Sequence, residues 1–226
     1  MFLTFSAARS AFLAFMFALV VALLMPAGAQ AQVTAFRQAV AEASSRDEVV
    51  AGFYRDRGFE GIWTGSDAVA QARRNALLSA FASAGDHGLP AAKYDAQALI
   101  ARLRAAQTPH DKGWMEVELT RLFLSYARQI QSGILTPSEV DDGIHVVPPV
   151  RNPLTTLNGF LTAEPVAFIR ALAPSTPEYQ RLMREKYRME AEVAGGGWGP
   201  TVRAEKLELG DSGEQAVDFV ALPDAE

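Results

Sequence analysis

Cysteine is absent from all 226 residues of the chain. That excludes disulfide bonding, a thiolate nucleophile and the lipid-modified cysteine of a lipoprotein anchor, so the fold must rest on its core alone. Histidine is scarce. His87, His110 and His145 are the three present, and no His-x-x-x-His or His-x-Glu spacing puts two ligands on one helical face. No metal site and no cofactor are therefore expected. Positive charge is not concentrated anywhere: the formal net charge is −5, no block of five like charges occurs, and no nucleic-acid partner is expected. No repeat of 20 to 50 residues is visible.

Charge is also missing from the N-terminus, where Arg9 stands alone among the first 31 residues. It precedes an unbroken apolar stretch from Ala11 to Met25, then Pro26 and the small-residue pattern Ala29-Gln30-Ala31. A basic n-region, an h-region and an A-x-A site in that order predict a signal peptide, residues 1–31, cleaved after Ala31. The apolar stretch is shorter than the ~20 residues of a membrane-spanning helix, and an uncleaved anchor is the alternative. Membrane contact is expected only through that segment.

Beyond Ala31 the chain has the periodicity of helices, and the fold class is predicted to be all-α. A first segment runs from Val33 to about Ala43. Ser45 with Glu48 reads as a capping box opening a helix that carries Val49, Val50, Phe53 and Tyr54. A helix from about Asp67 to Ala84 and a short one capped by Asp95 come next. The longest helix opens at Pro109 and Asp111 and closes at Gly133, with Met115, Leu119, Leu122, Tyr126 and Ile130 marking its buried face.

Thr136-Pro137-Ser138-Glu139 reads as another capped start, and Pro148, Pro149 and Pro153 as an extended crossing. Short helices are expected over 154–161 and 165–172. A last helix starts at Thr176 and Pro177, with Tyr179, Leu182, Met183 and Tyr187 apolar and Arg181–Glu185 and Arg188–Glu192 paired at i,i+4. Phe53, Trp63, Leu122, Tyr126, Tyr179 and Leu182 are expected in one core. Val202 to Leu209 reads as a short extended piece.

Chemical motifs are weak. Gly210-Asp211-Ser212-Gly213 carries the letters around a serine-protease nucleophile, but Glu214 follows it and an all-α chain offers no barrel to bring a His and an Asp to Ser212. Gly195 to Gly197 lacks the Lys-Ser/Thr of a phosphate loop. Asp141 and Asp142 read as a solvated turn. Of the three tryptophans, Trp63 and Trp114 are expected in the core, whereas Trp198, in a glycine linker, is free to stack on sugar.

Phe53-Tyr54 with Arg57 and Trp63, His87-Gly88-Leu89 with Tyr94, Thr120, Tyr126 and Gly133, Pro177, Tyr179 and Leu182, and Gly196-Gly197-Trp198 together resemble the N-terminal half of the large murein L,D-transpeptidases. The resemblance covers about Val33 to Gly213. It implies a helical scaffold domain over 32–194 and, over 195–226, a linker with the vestigial start of a peptidoglycan-binding domain in a truncated protein, since Gln215 to Glu226 departs from the helix expected there. It further implies location in the periplasm, a role in peptidoglycan biogenesis, and peptidoglycan or other cell-wall proteins as partners.

The family's nucleophilic cysteine, in a Ser/Thr-His-Gly-Cys setting, has no counterpart, so no catalytic residue is carried over. Binding is expected around Trp198, Arg203 and Lys206, with His87 and Tyr94 as a second patch. Two functional classes stay open: the scaffold part of a transpeptidase, and a stand-alone periplasmic helical module that binds peptidoglycan or protein.

Overall fold

The computed structural model describes residues 27–197, which form two units, one ending at Ala173 and one beginning at Pro174. The described residues are all-α: they hold nine α-helices and a 3-10 turn, with no strand among them. In the first unit α1 spans Ala27–Ser44, α2 Glu48–Asp56, α3 Ala68–Ala82, α4 Ala96–Ala105, α5 Pro109–Ser132, α6 Pro137–Val140, α7 Pro153–Thr162 and α8 Pro165–Arg170. The second unit, described through Gly197, contains α9, Pro177–Ala194.

Local chemistry accounts for most helix starts. Five helices place proline at the first position, where its missing N–H would have had no partner anyway. Asp67, Asp95 and Asn152 each cap through a side-chain oxygen that accepts two backbone N–H groups. Thr108 and Asp111 form a reciprocal capping box at the start of α5, and Thr176 caps α9.

Two expected capping boxes are absent. The cap of α2 is Asp47, which accepts the Val50 N–H, while the Ser45 hydroxyl turns back to the Glu42 carbonyl. Thr136 makes no side-chain capping bond. The third helix ends at Ala82 and continues as a 3-10 turn, Ala84–His87, closed by Gly88 at φ 73°.

The core of the first unit gathers around α5. Gly113 lets α1 lie directly on that helix: a Cβ there would stand 2.6 Å from Ala39 Cβ and 2.7 Å from the Phe36 carbonyl. Phe53, Trp63 and Tyr126 are buried as expected. Trp63 stacks on Phe160 with ring centroids 5.2 Å apart, and Phe123 lies 4.5 Å from Phe160. A second group joins Phe81, Tyr94 and Tyr126 edge to face or tilted.

Three members of the expected core are less buried than expected. Leu122 is half-buried beside the core, Tyr179 is half-buried, and Leu182 is 69% exposed. Trp114, expected inside, is 47% exposed, with its indole N–H donated to His110 Nε2 over 3.3 Å. Along α9 the ion pairs fall at i,i+3, Glu178 with Arg181 and Glu185 with Arg188, plus Lys186 with Glu190 at i,i+4. No described helix is long and apolar enough to cross a membrane. Ala29-Gln30-Ala31 falls within α1, and the extended piece expected over 202–209 lies outside the described residues.

Candidate functional site

A single carboxylate organises the interior. Glu116, on α5, is fully buried, yet no cation forms an ion pair with it among the described residues. Its charge is met by donors instead. Oε1 accepts the Ile62 N–H at 2.6 Å, the Trp63 N–H at 3.1 Å and the Tyr54 hydroxyl at 3.0 Å. Oε2 accepts the Thr64 N–H at 2.8 Å and the Thr64 hydroxyl at 2.9 Å, and shares the Trp63 N–H at 3.1 Å. Three successive backbone amides thus converge on one carboxylate, as donors do on a bound anion.

The loop that supplies those amides is shaped for the purpose. After α2, Gly58 and Phe59 both take left-handed backbone, at φ 61° and 59°. For phenylalanine that conformation costs about 1–2 kcal/mol, which packing of its ring against the core offsets. Gly61 then passes the carboxylate so closely that a Cβ would sit 2.9 Å from Glu116 Oε2 and 2.9 Å from Phe36 Cζ. A larger residue there would have to displace the Phe36 ring or the Glu116 carboxylate.

One turn along α5, Thr120 completes the network. Its hydroxyl lies 2.6 Å from the Tyr54 hydroxyl, accepts the Trp63 indole N–H at 2.9 Å and reaches the Glu116 carbonyl at 3.2 Å. Burial, the Glu116 charge and the hydrogen bond to Glu116 together push the Tyr54 hydroxyl well above the usual tyrosine range, against the lowering effect of Thr120.

The carbonyls of the same loop hold two arginines of α3. Arg73 donates to the Ile62 carbonyl at 3.4 Å and the Leu161 carbonyl at 3.2 Å, and desolvation lowers its pKa. Arg74 Nη1 donates to the Trp63 carbonyl and, at 2.7 Å, to the Gly65 carbonyl. Arg74 also lines a cleft of about 280 Å³ between α3, α4 and the start of α5, with Thr64 among its lining residues.

The residues expected to bind fare differently. Tyr94 is 1% exposed and donates its hydroxyl to Gln129 Oε1 at 2.7 Å, so it is a core residue and not a surface platform. The expectation missed that this ring completes the Phe81–Tyr126 cluster. His87 is half-buried at the end of the 3-10 turn, and the structure does not join it with Tyr94 in an exposed patch. Trp198, Arg203 and Lys206 lie outside the described residues. Among those described, no three His, Asp or Glu side chains cluster as metal ligands would.

Sequence reasoning passes over Glu116 although the chain carries a signal for it. Glu116, Thr120, Phe123, Ala127 and Ile130 recur at helical spacing and are all buried. A carboxylate and a hydroxyl on the apolar stripe of a long helix ask for buried donors elsewhere in the chain.

A family model described as a scaffold domain matches residues 48–185, more than half of the chain and the whole of the Glu116 network. No curated protein and no solved structure matches it.

Proposed function

This chain belongs to the scaffold-domain family of the L,D-transpeptidases, and from that premise we propose that it is a non-catalytic helical scaffold of periplasmic cell-wall biogenesis. Its work is to hold peptidoglycan or a wall-building protein in place rather than to make or break bonds. The observation that carries this reading is the Glu116 network. The deepest titratable groups of the domain, the Glu116 carboxylate and the Tyr54 hydroxyl, are sealed from solvent and bonded to one another and to the chain itself. A general base or nucleophile must reach a proton or carbon of its substrate; these groups fasten a loop to a helix. The sequence also has no thiol to supply the nucleophile that the resemblance would require.

Two measurements on one preparation test the proposal. Incubation with muropeptides followed by chromatography is expected to give no 3-3 cross-linked product, and any such product overturns the non-catalytic reading. Sedimentation with purified sacculi is expected to retain the protein in the pellet, more weakly for Trp198→Ala, whose indole is the proposed sugar platform of the linker end. If the protein is not retained, and photo-cross-linking in the periplasm captures no wall-building protein, the scaffold is not a wall-binding module.

A further inference from the structure

The cleft beside Arg74 combines an apolar floor with a rim of cations. Its floor consists of Leu78 on α3, Ile100 and Leu103 on α4, and Met115 on α5. Leu78, Ile100 and Leu103 are only half-buried, so apolar area is left facing the opening. Around that floor stand Arg74, Arg104 and Lys112, one from each of the three helices, and no Asp or Glu lines the cleft. In a chain of net charge −5 this is a local reversal of sign.

The cations are not consumed by other contacts. Neither Arg104 nor Lys112 takes part in an ion pair among the described residues, whereas the neighbouring Arg102 is paired with Glu118. Arg74 is held by the Trp63 and Gly65 carbonyls through Nη1, and its other nitrogens make no hydrogen bond among the described residues. Those carbonyls belong to the loop that Glu116 clamps from the other side. The buried carboxylate therefore fixes the position of the cleft's most ordered cation, and little side-chain freedom is lost when an anion meets it.

Two other clefts among the described residues lack this combination. The one between α5 and the segment before α7 mixes Asp47 with Arg128 and Arg151, and the one beside α1, which Lys112 also lines, contains Arg37 together with Glu60, 3.8 Å apart.

We propose that the cleft formed by Arg74, Arg104 and Lys112 over Leu78, Leu103 and Met115 binds the carboxylate-bearing end of a short peptide with small apolar side chains. The cations take the carboxylate and the aliphatic floor takes the side chain. A volume of about 280 Å³ admits one or two small residues and no more. The natural source, a peptide stem of the wall, rests on the function proposed above; the site itself does not.

The test is an NMR titration of the full chain with N-acetyl-alanyl-alanine, with its C-terminal amide and with inorganic phosphate. The acid is expected to bind with a Kd of roughly 0.1–1 mM. The amide, lacking the charge, is expected to bind about tenfold more weakly or not at all. Arg104→Gln and Lys112→Gln, at exposed positions with no internal partner to lose, should each weaken the acid roughly 2- to 5-fold. Leu103→Trp, which fills the floor, should abolish binding while the thermal midpoint reports that the protein is folded.

Equal affinity for acid and amide, no binding of the acid, or an unchanged Kd in the two Gln variants overturns the proposal. Phosphate binding as tightly as the acid overturns the role of the apolar floor. If the acid binds while sacculi do not retain the protein and photo-cross-linking captures no wall-building protein, the cleft stands and the wall reading falls. If sacculi retain the wild type while the acid does not bind, the wall reading stands and the cleft falls.

Discussion

Glu116 and Ile62 are 54 residues apart in the chain, and the Ile62 N–H donates to Glu116 Oε1 over 2.6 Å inside the core. The bond is the first of a series that continues through Trp63 and Thr64, so the loop between α2 and α3 is fastened to α5 by its backbone as well as by side chains. Removing the carboxylate would strand the buried Ile62 and Trp63 N–H groups and the half-buried donors of Thr64. Glu116→Ala is expected to lower the free energy of unfolding by about 3–5 kcal/mol, the range for breaking a buried charged network from one side. Urea denaturation measures it, and a loss under 1 kcal/mol would mean that the loop can find other acceptors.

Thr120 is the second anchor of the same network, and its contribution separates from that of Glu116. Thr120→Val keeps the shape but removes the acceptor of the Trp63 indole N–H and the partner of the Tyr54 hydroxyl. A loss of about 1–3 kcal/mol is expected. With Tyr54→Phe in a double-mutant cycle the losses should not add, because both substitutions delete the same 2.6 Å contact. Additive losses would show that the contact contributes nothing by itself.

How far the sequence foretells this arrangement depends on how local each feature is. The opening of α5 at Pro109 and Asp111, the Asp95 cap and the Gly133 stop each depend on residues within one turn, and all are legible, although the reciprocal partner Thr108 is not read. The cap of α2 reads as Ser45 because two capping residues stand two positions apart, and only the three-dimensional start of the helix selects Asp47. The face of α5 reads through Leu122, which is half-buried, because the apolar letters draw the stripe away from Glu116 and Thr120. Their partners are 52 to 66 residues distant, beyond any periodicity. Trp114 misleads for the opposite reason: a large aromatic suggests a core, yet its place in the first turns of α5 faces solvent.

The burial of Leu119 on α5 and the exposure of Leu182 on α9 can be tested with paired truncations. Leu119 is 1% exposed, so Leu119→Ala should cost about 2–5 kcal/mol through lost burial and a residual cavity. Leu182, 69% exposed on α9, should tolerate Leu182→Ala within about 0.5 kcal/mol. Urea midpoints compare the two, and equal shifts would contradict the assigned faces.

Stability should fall at both ends of the pH scale. Asp67, Asp111 and Glu164 have pKa values below the usual carboxylate range. The Ala70 N–H leads the effect at Asp67, the Thr108 hydroxyl at Asp111 and the Ala167 N–H at Glu164. A depressed folded pKa gives stability that is present above the unfolded value, near pH 4, and is lost as pH falls through the folded value. Thermal midpoints should therefore drop below about pH 4, less steeply in Asp67→Asn, which keeps a capping oxygen but cannot titrate there. Tyr54 acts at the other end. Its raised pKa, due first to burial, stabilises the fold below the unfolded value near pH 10, and that contribution is lost as pH rises further toward the folded one. Tyr54→Phe should flatten the alkaline limb; an unchanged limb would assign it to other groups.

Gly113 offers the sharpest test of how α1 meets α5. In an exposed helix, Gly→Ala ordinarily gains up to about 1 kcal/mol from helix propensity. Here the added methyl would stand 2.6 Å from Ala39 Cβ, 2.7 Å from the Phe36 carbonyl and 3.2 Å from the Val40 nitrogen. Two of these atoms are backbone and the third is a Cβ, so none can swing away, and the whole of α1 would have to shift. Overpacking of this kind costs about 1–3 kcal/mol, which outweighs the propensity gain and fixes the sign as destabilising. Adding Ala39→Gly should restore part of the loss by removing one clash while the Phe36 carbonyl keeps the other. A rise in the urea midpoint of Gly113→Ala would mean that α1 does not lie on α5 at this distance.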